Sequence, residues 1–211
     1  MMFDPKKILV LAPHPDDGEL GCGGTIARLC SEKKEVHYVA FSFCKKSLPA
    51  GSGDRVLEKE CKAAVSILGM DPGNVTVYDF EVREFPARRQ ELLEILVSLN
   101  KDIQPDLIFI PSATDMHQDH QVVHQEALRA FKHVSVLGYE LPWNQHHSHT
   151  ALFIKLSAEN IDRKVKAVKE YKSQAHRRYM EEDFLLSLAK VRGVQCNAAF
   201  AESFEVCRWI I

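Results

Sequence analysis

Nothing in this 211-residue chain reads as a membrane span, a secretion signal or a disulfide framework. No apolar stretch approaches the roughly 20 residues that cross a bilayer. The opening MMFDPKK has no apolar signal-peptide core, so a cytoplasmic location is expected. Positive charge is not in excess: 27 Lys and Arg face 29 Asp and Glu, a formal net charge of -2. That balance lacks the basic footprint of nucleic-acid or membrane-surface binding. The six cysteines (Cys22, Cys30, Cys44, Cys61, Cys196 and Cys207) are scattered, with no C-x-x-C pair. They read as reduced thiols and argue against a thiolate zinc site. Internal repeats, low-complexity tracts and domain-dividing linkers are also missing.

What the chain does contain is a regular alternation. Apolar runs of strand length occupy 8–12, 36–42, 75–80, 107–111, 136–141 and 152–156. Helical periodicity fills 25–33, 55–68, 88–101, 120–132 and 160–171. Strands alternating with helices predict an α/β fold: one Rossmann-like domain over 1–211, with a mostly parallel sheet flanked by helices on both faces. Ligands in such sheets bind at the carboxyl ends of the strands. The irregular segments 45–54 and 142–149 are expected to line the pocket entrance.

The first strand runs directly into His14, Asp16, Asp17 and Glu19, more acid than a turn requires. Adjacent carboxylates repel unless something positive lies beside them, and a metal ion meets that need. A second cluster, Asp115, His117, Asp119 and His120, follows the 107–111 run. A catalytic zinc keeps three His, Asp or Glu ligands and an open position. One His and one Asp from the first turn, with a His from the second cluster, satisfy that count.

Other readings are weaker. A G-x-G-x-x-G beginning at Gly21 would need glycine at Ile26, and the acidic turn would repel a pyrophosphate. The glycines instead suit a tight turn and close packing of the next helix. His37, His124 and His133 read as ordinary core or surface histidines. His146, His147 and His149 form a third cluster without a matching acid, which suits a polar loop near the pocket rim better than a metal site.

These motifs resemble the PIG-L/LmbE family of zinc-dependent de-N-acetylases. The family's HPDD-x-E stretch stands here as His14-Pro15-Asp16-Asp17-Gly18-Glu19, and its H-x-D-H stretch as His117-Gln118-Asp119-His120. YKSQ (171–174), RG (192–193) and AESF (201–204) are similar to its C-terminal landmarks. The resemblance implies that His14, Asp17 and His120 hold Zn2+ or another first-row divalent ion. It implies Asp16 as general base, and His117 as oxyanion stabiliser, oriented by Asp119 and favoured in its protonated form. Where relatives carry Arg-x-x-Glu, Glu60 fits the Glu but Leu57 holds the Arg place, with Arg55 the nearest arginine. Glu19, Arg55, Trp143 and Gln174 are the candidate substrate contacts, Trp143 by stacking on a sugar face.

The implied activity is removal of acetyl from an N-acetylglucosamine-type conjugate, with a small N-acetylated sugar as substrate and no nucleic-acid partner. The oligomeric state is left open, a homo-oligomer included. A non-catalytic metal- or sugar-binding module is the alternative, and retention of Asp16 argues against it. A two-metal phosphoesterase would need more bridging carboxylates than these clusters offer. The sequence does not identify the specific acetylated substrate.

Overall fold

In strand β1 (Lys7–Ala12) successive side chains point to opposite faces of the sheet. Ile8, Val10 and Ala12 enter one hydrophobic core, and Leu9 and Leu11 enter a second. A strand buried on both faces reads as a continuous apolar run, as expected for a parallel sheet. The computed structural model describes residues 4–48, 51–149 and 151–210. Its further strands are β2 (Glu35–Ala40), β3 (Val75–Val77), β4 (Leu107–Pro111), β5 (Ser135–Tyr139), β6 (Leu152–Leu156) and β7 (Phe200–Arg208). The helices are α1 (Asp17–Ser31), α2 (Val56–Leu68), α3 (Arg89–Ile103), α4 (Gln118–Ala130), α5 (Ala158–Val168) and α6 (Glu182–Gln195).

The sheet order is β3-β2-β1-β4-β5-β7-β6. Strands β3 through β5 in that order are parallel, while β7 runs antiparallel to both β5 and β6. Helices α1, α2, α5 and α6 cover one face and α3 and α4 the other. The expected α/β architecture is therefore present. The chain leaves β1 for β2 on one side and later returns as β4 on the other. That reversal opens a crevice at the carboxyl ends of β1 and β4, where both His/Asp clusters emerge.

Three elements differ from expectation. Helix α1 begins at Asp17, eight residues before the predicted start at 25, so its glycines lie within the helix. They permit close approach: a Cβ on Gly18 would sit 2.5 Å from the Tyr38 ring, and one on Gly21 2.3 Å from that of Tyr139. The helix is broken at Cys22 (φ -142°, ψ 24°). Lys164 Nζ caps the carbonyl of Leu20 at 2.7 Å, and Glu202 accepts from the N–H groups of Gly24 and Thr25 at 3.0 and 2.7 Å. Lys164 and Glu202 also bond one another at 2.6 Å. This buried pair thus satisfies both broken ends, which gives Glu202 of the AESF stretch a structural role. Helix α6 and strand β7 are absent from the sequence reading. Glu202 and Glu205 make β7 look solvent-exposed, yet Glu202 is buried by its cap and ion pair.

Gly21→Ala tests the close packing. Alanine ordinarily favours a helix by up to about 1 kcal/mol, but overpacking the fully buried Tyr139 should reverse the sign and cost about 1–3 kcal/mol. Urea unfolding midpoints read the outcome, and a raised midpoint would mean that the helix yields at this contact.

Candidate active site

Between β1 and α1 the chain makes a short turn through Pro13, His14, Pro15 and Asp16. Asp16 has φ 92° and ψ -31°, a conformation costing a non-glycine residue about 1–3 kcal/mol. Asp17, the first residue of α1, is buried at the positive end of the helix dipole. Its Oδ2 accepts the His14 N–H at 2.9 Å.

The second cluster is built at the start of α4. Asp115 accepts the His117 N–H at 2.9 Å through one oxygen and meets His120 Nδ1 at 2.8 Å through the other. Asp119 accepts the N–H of Arg83 at 2.6 Å and meets His14 Nε2 at 3.0 Å. Each of these two imidazoles therefore has one nitrogen against a carboxylate and its other nitrogen turned inward.

The inward atoms form a nearly regular triangle. His14 Nδ1 is 3.2 Å from Asp17 Oδ2 and 3.2 Å from His120 Nε2. His120 Nε2 is 3.3 Å from Asp17 Oδ2. Ligands about 2.0–2.2 Å from a tetrahedral zinc stand about 3.3–3.6 Å apart. Three donors of the right types thus already have close to the required spacing. The carboxylates behind the two histidines are the groups that usually orient metal-bound imidazoles. The imidazoles of His14, His117 and His120 also converge, with one ring nitrogen of each within 4.8 Å of the others.

Electrostatics point the same way. Burial disfavours charge on Asp17, but the His120 and His14 imidazoles outweigh it and hold the carboxyl well below the usual carboxylate range. Burial likewise opposes charge on His120, yet Asp17 and Asp115 push it up to about 10. The cluster demands positive charge at its centre, which a divalent cation supplies. Burial, reinforced by Asp17 and Glu19, pushes Asp16 well above the carboxylate range.

These side chains line a cavity of about 180 Å³ with Leu57, Arg83, Trp143, Gln174, Arg177 and Tyr179 among its other walls. Asp16 and Asp17 are its two lining carboxylates. Asp17 is fully engaged, whereas the carboxylate of Asp16 accepts no hydrogen bond from the described residues.

Several sequence expectations need correction. Asp119 does not orient His117 through its carboxylate: that oxygen is 4.0 Å from His117 Nδ1 and bonds His14 instead. Its backbone N–H donates to His117 Nδ1 at 3.2 Å, which leaves the proton on Nε2. Burial and the neighbouring imidazoles lower His117 to about 4, which favours its neutral form over the protonated one expected. Glu19 is not a substrate contact. It is completely buried, accepts from Tyr38 at 2.5 Å and Tyr171 at 2.7 Å, and is raised to about 7 by burial. Arg55 is turned away from the pocket, paired with Glu58 and lying over Phe43.

Trp143 does line the pocket, but it is stacked on Tyr179 at 4.2 Å and 8°, which removes one face from a sugar. Gln174 also lines the pocket, with its carbonyl held by Arg177 and its amide by Ser173. Of the segment 45–54, Ser47 reaches the pocket and residues 49 and 50 lie outside the described residues. In 142–149, Trp143 and Asn144 reach it, while His147 and His149 are exposed and contact one another. His124 is structural, bonded to the Pro111 carbonyl at 2.8 Å.

Two important residues were missed as site members. The spacing of Asp115 five residues before His120 on a turn entering a helix could have signalled its role. Arg177 carried no signal, because its approach to the pocket depends on the C-terminal segment folding back over α2.

Comparison with known proteins gives matches in both sequence and fold. The family profile described as PIG-L, GlcNAc-PI de-N-acetylase, matches residues 9–131. The uncharacterized deacetylase YaiS of Escherichia coli (strain K12) is 29% identical over 175 residues, covering 80% of this chain and 91% of that protein. The solved N,N'-diacetylchitobiose deacetylase of Pyrococcus horikoshii superposes with a TM-score of 0.80 at 22% identity, covering 96% of this chain and 84% of that one. GalB of Pseudomonas putida, a 4-carboxy-2-hydroxymuconate hydratase, superposes with a TM-score of 0.79 at 21% identity, with 98% of each chain covered. A hydratase on this fold means that architecture alone does not set the reaction.

Proposed function

We propose, for a chain that belongs to the GlcNAc-PI de-N-acetylase (PIG-L) family, that Asp16 is the general base and that His14, Asp17 and His120 hold zinc. The protein is a hydrolytic de-N-acetylase. A zinc ion bound there would polarise the acetamide carbonyl and lower the pKa of a coordinated water towards neutrality. Asp16 takes the proton of the attacking water and returns it to the amide nitrogen as the C–N bond breaks, leaving acetate and a free amine. His117, neutral with its proton on Nε2, donates to the developing oxyanion. Asp115 and Asp119 hold His120 and His14 in orientation. The observation that carries this reading is the unengaged carboxylate of Asp16 beside a triangle of metal-spaced donors.

The substrate is a small N-acetylglucosamine-type conjugate. A cavity of about 180 Å³ lies below the roughly 300–1,000 Å³ of typical drug-sized sites, which favours entry of a single acetylated sugar. The chain 1–211 acts as one deacetylase domain, since both its N-terminal clusters and Trp143, Gln174 and Arg177 line the pocket. A reducing, cytoplasmic setting suits its free cysteines, and no helix among the described residues is long and apolar enough to cross a membrane. The test is acetate release by zinc-loaded protein from a panel of N-acetylated sugars and nucleotide sugars. Absence of release from every member would overturn the substrate class.

Asp115 provides a separate check of the metal site. Asp115→Asn should weaken metal affinity by roughly 10–100-fold, as loss of a carboxylate behind a ligating histidine usually does. Competition with a chelating dye measures it, and unchanged affinity would exclude a role for Asp115 in holding the metal.

A further inference from the structure

We infer that the pocket mouth recognises a negatively charged group on the substrate, a carboxylate or a phosphate, through the guanidinium groups of Arg83 and Arg177. This rests on the deacetylase reading and adds the chemical class of the group attached to the sugar.

Several arginines away from the pocket are committed to carboxylates: Arg28 to Glu32, Arg88 to Glu91, Arg163 to Glu159 and Arg192 to Glu140. Arg83 and Arg177 line the pocket and pair with no carboxylate among the described residues. The acid beside Arg83 in the chain, Glu84, is taken by Lys46 at 3.1 Å. Arg177 is oriented by neutral groups only: its Nε donates to Gln174 at 2.8 Å and its Nη1 to the Tyr179 hydroxyl at 2.8 Å. Nη2 is left without a hydrogen-bond partner among the described residues.

The Arg177 guanidinium is also preorganised, and the backbone that carries Arg83 is fixed. Gln174 is 3% exposed and tied through Ser173 to Glu60 on α2, while Tyr179 is braced by Trp143. Arg83 has φ 72°, a left-handed conformation held by the bond from its N–H to Asp119. Its neighbours Val82 and Phe85 are buried and anchor the turn. The Arg177 guanidinium, held by neutral groups and answered only by the more distant Asp16 carboxyl, suits recognition of a carboxylate or phosphate, with Arg83 lining the same pocket.

The experiment compares N-acetylglucosamine with N-acetylglucosamine 1-phosphate, N-acetylglucosamine 6-phosphate and the carboxylate-bearing N-acetylmuramic acid. Turnover by zinc-loaded protein and calorimetric binding are both measured, for the parent protein and for Arg83→Gln and Arg177→Gln. At least one anionic probe should exceed the neutral one in kcat/KM and in affinity by about tenfold or more, as a charge-assisted contact provides. Each substitution should shrink that ratio about tenfold, and added salt should shrink it in the parent. The phosphate and carboxylate arms identify which anion is read. Equal ratios for all probes, or an Arg177→Gln loss shared equally by neutral and anionic probes, would overturn the inference; the latter would mean that Arg177 acts on Asp16. Selective anion binding that falls in the variants without turnover of any probe would sustain this inference while the deacetylase reading fails.

Discussion

Asp16→Asn should lower kcat by roughly a hundredfold or more while the protein keeps its full metal content. Loss of a general base typically costs about 10²–10⁴ in rate. The asparagine amide neither accepts the water proton nor returns it to the leaving nitrogen. KM should move little, because the donors that hold the carbonyl remain. The pH–rate profile adds a second readout. A general base works when ionised, so activity rises as pH climbs through its pKa. Burial, with Asp17 and Glu19 nearby, raises Asp16, placing that limb above the usual carboxylate value of about 4. The limb should vanish in Asp16→Asn. Wild-type turnover with metal bound would end the assignment. The backbone at Asp16 can be tested separately: Asp16→Gly and Asp16→Ala both remove the carboxylate, but glycine alone relieves φ 92°. The glycine variant should be more stable than the alanine variant by about 1 kcal/mol, read from unfolding midpoints.

The second large effect concerns the metal. His14→Ala and His120→Ala should each lose nearly all bound metal, and Asp17→Asn should bind it more weakly, because an amide is a poorer zinc partner than a carboxylate. His117→Ala should retain it. Elemental analysis of the purified variants separates the His14, Asp17 and His120 triangle from the set of three imidazoles that also converges here. Metal loss in His117→Ala with retention in Asp17→Asn would favour the three imidazoles. Chelation should abolish activity, and zinc or another first-row ion should restore it, since such ions share nitrogen and oxygen donors.

Residues close together in the chain carried most of what could be read without coordinates. The HPDD turn and the Asp115–His120 cluster each sit directly after an apolar run. Parallel pairing of β1 with β4 then brings them to one sheet edge. The α/β alternation was legible for the same reason, because strand and helix periods are local patterns. The start of α1 was not. Four glycines look like a loop until the Tyr38 and Tyr139 rings occupy the space that side chains would need.

The amino-acid sequence by itself determined the donor types, their order and the strand ends from which they emerge. Tertiary structure decided which atom meets which. Asp119 reaches His14 across 105 positions, Glu202 reaches the break in α1 across 178, and Arg177 enters a pocket founded by residues 14–17. Glu19 lies two positions from Asp17, yet the helical turn sends it into the core against Tyr38 and Tyr171 rather than into the pocket. Such pairings follow from strand order and helix packing, because buried polar groups bond whatever partner the packed fold presents. Spacing along the chain does not encode that partner.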